Sequence, residues 1–230
     1  MKLPAGEIHI FTINTNKFEQ EIDNFEKLLS GDELSKACRF RVARDRIGYI
    51  TCRGSLRNIL SEYTGVNPSE LVFSYTSFGK PFVKDSEIKF NLSHSGDYAV
   101  LAFSWINELG IDIERLRDMP DALNIASRYF SEKEIQGFSE LNHECINTEF
   151  FKCWTKKEAF IKAKGEGLSY PLKNFSVSVG NKSPAEIIEI TDNPAEAENW
   201  SLYEIDIINE YVSALAVNSA KADLVYRNLQ

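Results

Sequence analysis

The chain has 230 residues, 43% of them hydrophobic and 26% charged, with a formal net charge of −8. That length suits one large domain or two small ones with room for a buried core, and the negative balance excludes a chain that binds nucleic acid as a whole. The longest apolar runs, such as 98–103, are far too short to span a bilayer, and the first 13 residues lack the apolar stretch of an export signal.

The elements follow in chain order. Between Lys36 and Arg57 lie seven basic residues (Lys36, Arg39, Arg41, Arg44, Arg46, Arg53, Arg57) and one acid, Asp45. Arg46, Arg53 and Arg57 share one stripe of a helix expected over 45–64, whose apolar positions are Leu56, Ile59, Leu60 and Tyr63 and which Gly65 ends. The run reads either as a solvated face, or as a site for a ligand's phosphate or an acidic partner steered by charge. Strands are expected at 71–75, 88–92 and 98–104. Phe78-Gly79-Lys80-Pro81 reads as a turn that presents Lys80 from rigid backbone.

Asn91-Leu92-Ser93-His94-Ser95 follows the second of these strands, just before Gly96-Asp97. A histidine between two serines on a polar turn is not a core residue. The segment is either a hydrogen-bonded turn or a phosphate clasp built from serine hydroxyls, turn amides and the imidazole. A Ser–His hydrolase is discounted, because adjacent strand residues point to opposite faces and no nucleophile elbow is present.

Gly110-Ile111-Asp112-Ile113-Glu114 reads as a strand with both carboxylates on one face and both isoleucines on the other. Ser131 with Glu134 three residues later is a capping box. A helix is expected over 149–164, ended by Gly165, with Trp154, Glu158 and Lys162 in one stripe. Glu158 falls on the apolar stripe of Phe150, Trp154 and Ile161, where a carboxylate is costly unless paired or bound to metal. It is either half of a salt bridge to Lys162 or part of a site. Two same-side carboxylates suit magnesium, and three acids and a lysine together would hold a divalent cation and a phosphate. Further strands are expected at 175–179, 200–207 and 211–217, and 181–199 reads as a surface connection. Asp97-Tyr98-Ala99-Val100 is echoed by Glu210-Tyr211-Val212-Ser213, a faint repeat of helix and strand meander. It suggests two α+β halves, 1–107 and 108–230, packed as a pseudo-dimer. Cys38, Cys52, Cys145 and Cys153 have no Cys-x-x-Cys spacing and read as free thiols of a cytoplasmic protein.

The motifs at 78–81, 91–95, 110–114 and 154–162 resemble the 4'-phosphopantetheinyl transferase family, in particular its surfactin-synthetase-activating type. The matched positions include Gly110, Asp112, Glu114, Trp154, Lys157, Glu158 and Lys162, and the four motifs occur in the family's order across residues 36–175. The resemblance implies the two-half α+β fold, with coenzyme A phosphates bound by the first half and metal and catalysis in the second. It implies transfer of 4'-phosphopantetheine from coenzyme A to a serine of an acyl, peptidyl or polyketide carrier protein, releasing adenosine 3',5'-bisphosphate. It implies Mg2+ held by Asp112, Glu114 and Glu158, with Glu158 either a ligand or the general base, and Lys162 on the pyrophosphate, protonating the leaving group. Lys36, Arg46 and Lys80 fall near positions that hold coenzyme A's phosphates; Ser93 and His94 would form the clasp; and Glu134 corresponds to a further acid of the family pattern, a support behind the metal ligands. A monomer with an internal pseudo-twofold is expected, with no nucleic acid or membrane partner. The alternatives are a non-catalytic coenzyme A- or nucleotide-binding module, which would keep Lys80 and His94 but need no acids, and a scaffold protein, which would need neither.

Overall fold

The computed structural model describes residues 1–180 and 184–228. The first half runs from β1 (Glu7–Asn14) through short helices α1 (Ile22–Glu26) and α2 (Gly31–Ala37) to the long α3 (Ala43–Thr64). The hairpin strands β2 (Phe73–Tyr75) and β3 (Pro81–Val83) follow, then β4 (Lys89–Ser95) and β5 (Tyr98–Ser104). The second half has β6 (Leu109–Arg115), α4 (Ala122–Tyr129), α5 (Glu132–Ser139), the long α6 (His143–Lys164), β7 (Phe175–Val177), β8 (Ile187–Ile190), β9 (Ser201–Glu204) and β10 (Tyr211–Val217), and β11 (Asp223–Asn228) closes the chain.

Mixed α+β structure is built twice on one plan. The sheets run β11-β1-β5-β4 and β6-β10-β9, so β1, β5 and β4 correspond to β6, β10 and β9. Each half has one helix of 22 residues, and both end at a left-handed glycine, Gly65 and Gly165, each at φ 74°. Only glycine adopts that conformation without steric cost. β11 returns to pair in parallel with β1, tying the end of the second half to the first.

Period-two burial decides what each sheet face meets. Phe11, Ile13, Ala99, Leu101 and Phe103 share a core with Leu56, Ile59 and Leu60 of α3. The alternate residues, Ile8, Ile10, Val100 and Ala102, meet Ile111, Ile113, Leu215 and Val217 in a core between the two sheets. Ala214 and Ala216 turn the other way, onto Ala159, Phe160 and Ala163 of α6. Gly110 lies under the same helix. A Cβ there would stand 2.2 Å from the Ala159 carbonyl oxygen and 2.3 Å from the Ala163 nitrogen. The glycine that opens the acidic motif is therefore the condition for α6 to lie close on β6.

Several elements differ from expectation. α6 starts at His143, six residues before the expected 149, because the polar stretch after Asn142 hides its first turns. β4 continues through Ser95, where the sequence leads one to expect a turn. β1, a strand of eight residues, was not anticipated, and the strands expected at 71–75, 175–179 and 200–207 are shorter. The described part of 181–199 holds β8 and a 3-10 turn; 181–183 lie outside the described residues. Among the described residues no helix is long and apolar enough to cross a membrane.

Candidate active site

β4 and β6 are edge strands of their two sheets, and they meet through side chains. The Ile111 N–H donates to Asn91 Oδ1 (2.9 Å), Ser93 Oγ donates to Asp112 Oδ1 (2.7 Å), and Ser95 Oγ donates to Glu114 Oε2 (3.0 Å). The Arg115 N–H in turn donates to Ser95 Oγ (3.1 Å). The constant separation of 19 or 20 residues means that the strands run in the same direction. Asn91, Ser93 and Ser95 alternate because they are one face of a strand, which is why the expected turn is not one.

α6 crosses this seam and supplies the third wall. Trp154, Glu158 and Lys162 line a cleft of about 400 Å³ together with Ser93, His94, Asp112 and Glu114. Lys162 Nζ donates to Asp112 Oδ1 (2.6 Å) and Ser93 Oγ (3.0 Å). Among the described residues it makes no ion pair with Glu158, so the local i,i+4 bridge is absent and the lysine binds across to β6 instead. Trp154 is half-buried and stacks on Phe150 with ring centroids 6.0 Å apart, which fixes the helix face that carries Glu158.

The electrostatics are those of crowded acids. Burial raises the pKa of Glu158, the negative charge of Asp112 raises it further, and Lys162 opposes both. Burial also raises that of Asp112, against the pull of the Lys162 ammonium and the Ser93 hydroxyl. His94 reaches solvent at the cleft's edge, yet desolvation lowers its pKa, and Lys162 lowers it further. Lys36 and Asp45 also act on this imidazole, which puts the start of the basic run within electrostatic reach of the site.

The donors fit a hard cation. Among the described residues Asp112 Oδ2 is buried without a hydrogen-bond partner, and Glu114 and Glu158 line the same cleft. Among the described residues no group of three or more His, Cys, Asp or Glu side chains stands preassembled around one point. A hard cation such as magnesium is usually held by one or two carboxylates with substrate phosphate and water completing its shell.

Other expected site residues lie elsewhere. Lys80 is not in the cleft: its ammonium donates to the Ala163 and Leu109 carbonyls (2.9 and 3.2 Å) and to Glu108 (3.2 Å). One donor meets a last-turn carbonyl of α6, which lacks a helical partner, and the other two meet Glu108 and Leu109 where β6 begins. Lys36 is exposed, 5.4 Å over the Tyr49 ring, and half-exposed Arg46 pairs with Glu26.

The docking face suggested by Arg53 and Arg57 is corrected. Arg57 is 1% exposed and donates to Glu33 Oε2 (2.8 Å) and the Pro68 and Leu71 carbonyls. Arg53 is 12% exposed and bonds the same glutamate. The acids that balance the run, Glu26 and Glu33, come from α1 and α2. Glu134 caps α5 and also accepts from Lys157 Nζ (2.6 and 2.8 Å), in an ion pair with no exposure on either side. Lys157 and Glu134 are thus structural. Asn91 and Ser95, bound to β6, were not singled out as site residues, although their shared period of two with Ser93 is visible in the sequence.

Comparison with known proteins gives consistent relatives. Residues 108–216 match the family described as the 4'-phosphopantetheinyl transferase superfamily, and 16–105 match a 4'-phosphopantetheinyl transferase N-terminal family. The chain is 35% identical over 221 residues to the 4'-phosphopantetheinyl transferase HetI of Nostoc sp., covering 94% of this chain and 90% of that one. It is 31% identical over 189 residues to the 4'-phosphopantetheinyl transferase Sfp of Bacillus subtilis, covering 82% of each. A mouse L-aminoadipate-semialdehyde dehydrogenase-phosphopantetheinyl transferase is 31% identical over 204 residues, covering 81% of this chain and 66% of that one. Holo-[acyl-carrier-protein] synthase of Thermotoga maritima superposes with a TM-score of 0.41 at 19% identity, over 50% of this chain and 64% of that one.

Proposed function

The chain belongs to the 4'-phosphopantetheinyl transferase superfamily and moves phosphopantetheine from coenzyme A to carrier proteins, and we propose that it does so in the cleft between β4, β6 and α6. The observation that carries this reading is the convergence of Asp112, Glu114, Glu158 and Lys162 from two separate motifs on one cleft. The acceptor serine's oxygen bonds to the β-phosphorus of coenzyme A, the bond from that phosphorus to the bridging oxygen breaks, and adenosine 3',5'-bisphosphate leaves.

Glu158 takes the serine proton. Without a cation in the cleft, burial and the neighbouring acids raise its pKa against the pull of Lys162, which favours proton uptake over an ordinary carboxylate. Lys162 sits on Asp112 and Ser93, placed to exchange one of these contacts for an oxygen of the departing phosphate. Ser93, on giving up its bond to Asp112, and His94 form the clasp for a coenzyme A phosphate; exposed Lys36, within electrostatic reach of His94, and half-exposed Arg46, on release from Glu26, are the cations for the remaining one. Lys80 supports the end of α6 beside Lys162. Asp112, Glu114 and Glu158 are the residues to hold magnesium, which when bound supplies positive charge to the pyrophosphate oxygens.

One chain supplies every wall of the cleft, so a monomer suffices. The free cysteines fit a cytoplasmic protein. The relatives give no support to a non-catalytic coenzyme A-binding module.

The test is transfer of labelled phosphopantetheine from coenzyme A to an acyl, peptidyl or polyketide carrier. Glu158→Gln should cut turnover by about 10²–10⁴-fold without lowering the melting midpoint, and raising the pH should not restore it. Turnover within twofold of wild type would remove Glu158 from the chemistry.

A further inference from the structure

The geometry points to Ser95 as a positioning residue that presents Glu114 for cation binding, an inference that rests on the metal-holding role proposed for Asp112, Glu114 and Glu158. The two acids of β6 are held alike. Asp112 Oδ1 accepts from Ser93 Oγ at 2.7 Å and from Lys162 Nζ at 2.6 Å, which leaves Oδ2 without a partner. Glu114 Oε2 accepts from Ser95 Oγ at 3.0 Å and from Arg117 Nη1 at 3.3 Å, and among the described residues no hydrogen bond reaches Oε1. Each carboxylate thus gives one oxygen to a serine of β4 and a cation, and keeps the other.

Of the two contacts on Glu114, Ser95 is the better anchored. The Arg117 side chain is 54% exposed, so solvent screens its pairing and its many rotamers compete. Ser95 accepts the Arg115 N–H at 3.1 Å, which occupies a lone pair and leaves its own hydrogen to give to Glu114. The turn that follows Ser95 is fixed from both halves of the molecule. The Thr15 N–H donates to the Asp97 carbonyl at 2.8 Å, and the Asp97 N–H donates to the Tyr211 hydroxyl at 3.3 Å. Arg44 pairs with the Asp97 carboxylate. Gly96 is at φ 56°, and a Cβ there would lie 2.7 Å from the Tyr211 hydroxyl oxygen, so a side chain would push that hydroxyl off the turn. Ser95 is therefore a fixed post. A carboxylate bound to it at one oxygen has its free oxygen aimed before any ligand arrives, as outer hydrogen-bond partners do for metal-binding carboxylates.

The test uses Mn2+ as the probe, titrated into the full chain with and without coenzyme A and followed by electron paramagnetic resonance. Ser95→Ala should weaken Mn2+ binding by about 10- to 100-fold, and Ser95→Thr, which restores the hydroxyl, should recover most of it. In the transfer assay Ser95→Ala should raise the magnesium concentration for half-maximal rate while the rate at saturating magnesium stays near wild type. Thermal melting accompanies each variant. Ser95→Cys keeps the size but donates poorly, and it carries the same expectation if the alanine variant melts early. Wild-type Mn2+ affinity in Ser95→Ala overturns the positioning role and leaves the metal site standing. Absence of Mn2+ binding by the wild-type chain, with and without coenzyme A, overturns both.

Discussion

Gly110→Ala is the sharpest test of how this fold makes its site. The added methyl would stand 2.2 Å from the Ala159 carbonyl oxygen and 2.3 Å from the Ala163 nitrogen, where ordinary contact begins near 3.4 Å. Both obstacles are backbone of α6, so no side chain can swing aside, and β6 and α6 must separate by roughly 1 Å. Neither has room to yield, since Ile111 and Ile113 hold β6 from the far side and Phe160 and Ala163 hold α6 in its own core. Overpacking of this kind costs about 1–3 kcal/mol, and rigid backbone on both sides puts this case at the upper end. For a chain of this size a loss of about 3 kcal/mol lowers the melting midpoint by about 6–12 °C. The same displacement parts Asp112 and Glu114 from Glu158 and Lys162, and a misplacement of about 1 Å can cost on the order of 10² in rate. Gly48→Ala is the control: a Cβ on this α3 residue meets nothing within 4 Å, so the change should be neutral or stabilising by up to about 1 kcal/mol. Urea unfolding and initial transfer rates on both variants decide the matter. Gly110→Ala within about 0.5 kcal/mol of wild type and within twofold in rate would refute the close-approach argument.

Arg57→Ala should destabilise by about 3–5 kcal/mol, because it leaves Glu33 buried beside a single cation and frees the Pro68 and Leu71 carbonyls. Urea unfolding checks this, and the salt dependence of the carrier's Michaelis constant should not change; a change there would restore the docking role. In the metal-free chain, the contribution of Glu158 and Asp112 to stability should fall as pH rises above the ordinary carboxylate range. Glu158 and Asp112 have raised pKa values, so in that window the native state binds more protons than the unfolded state, and their contribution is lost as pH climbs through the folded values. The urea midpoint of wild type relative to Glu158→Gln, followed from pH 4 to 8, should show this loss free of His9 and His94, whose lowered values act in the opposite sense, and a difference that stays flat with pH would contradict the raised value of Glu158.

The parts of the molecule legible in sequence are those where one local period dominates. Ile111 and Ile113 alternate with Asp112 and Glu114, and the strand obeys that alternation. Trp154, Glu158 and Lys162 recur every four residues, and the helix brings all three to the cleft. What was hidden depends on partners distant in the chain. Arg53 and Arg57 look like a free basic stripe because Glu33, which they share, precedes them by 20 and 24 residues on another helix. Lys80 looks like a presented cation because nothing near it in sequence shows that the Ala163 carbonyl, 83 residues on, will accept its hydrogen bond. β1 went unseen because His9 interrupts its apolar pattern. That histidine is fully buried against the Tyr63 hydroxyl at 2.6 Å and Glu7 at 3.1 Å.

The seam between β4 and β6 shows why the Asn-x-Ser-x-Ser and Gly-x-Asp-x-Glu patterns share a period of two. An edge strand exposes a row of N–H groups that must find acceptors. Had the two strands paired by a backbone ladder, they would lie about 4.8 Å apart, with β4's alternating polar side chains free to turn elsewhere. Instead the Ile111 and Arg115 N–H groups are met by Asn91 and Ser95 side chains, and the hydroxyls of Ser93 and Ser95 turn their hydrogens onto Asp112 and Glu114. One set of side chains thus closes an open sheet edge and orients the acids of the cleft. The sheet-to-sheet contact that buries Val100, Ala102, Ile111 and Ile113 fixes the register of this seam, because a slip of one residue would turn the isoleucines into the cleft and the acids into the core. Fold stability and site geometry therefore rest on the same alignment of the two halves.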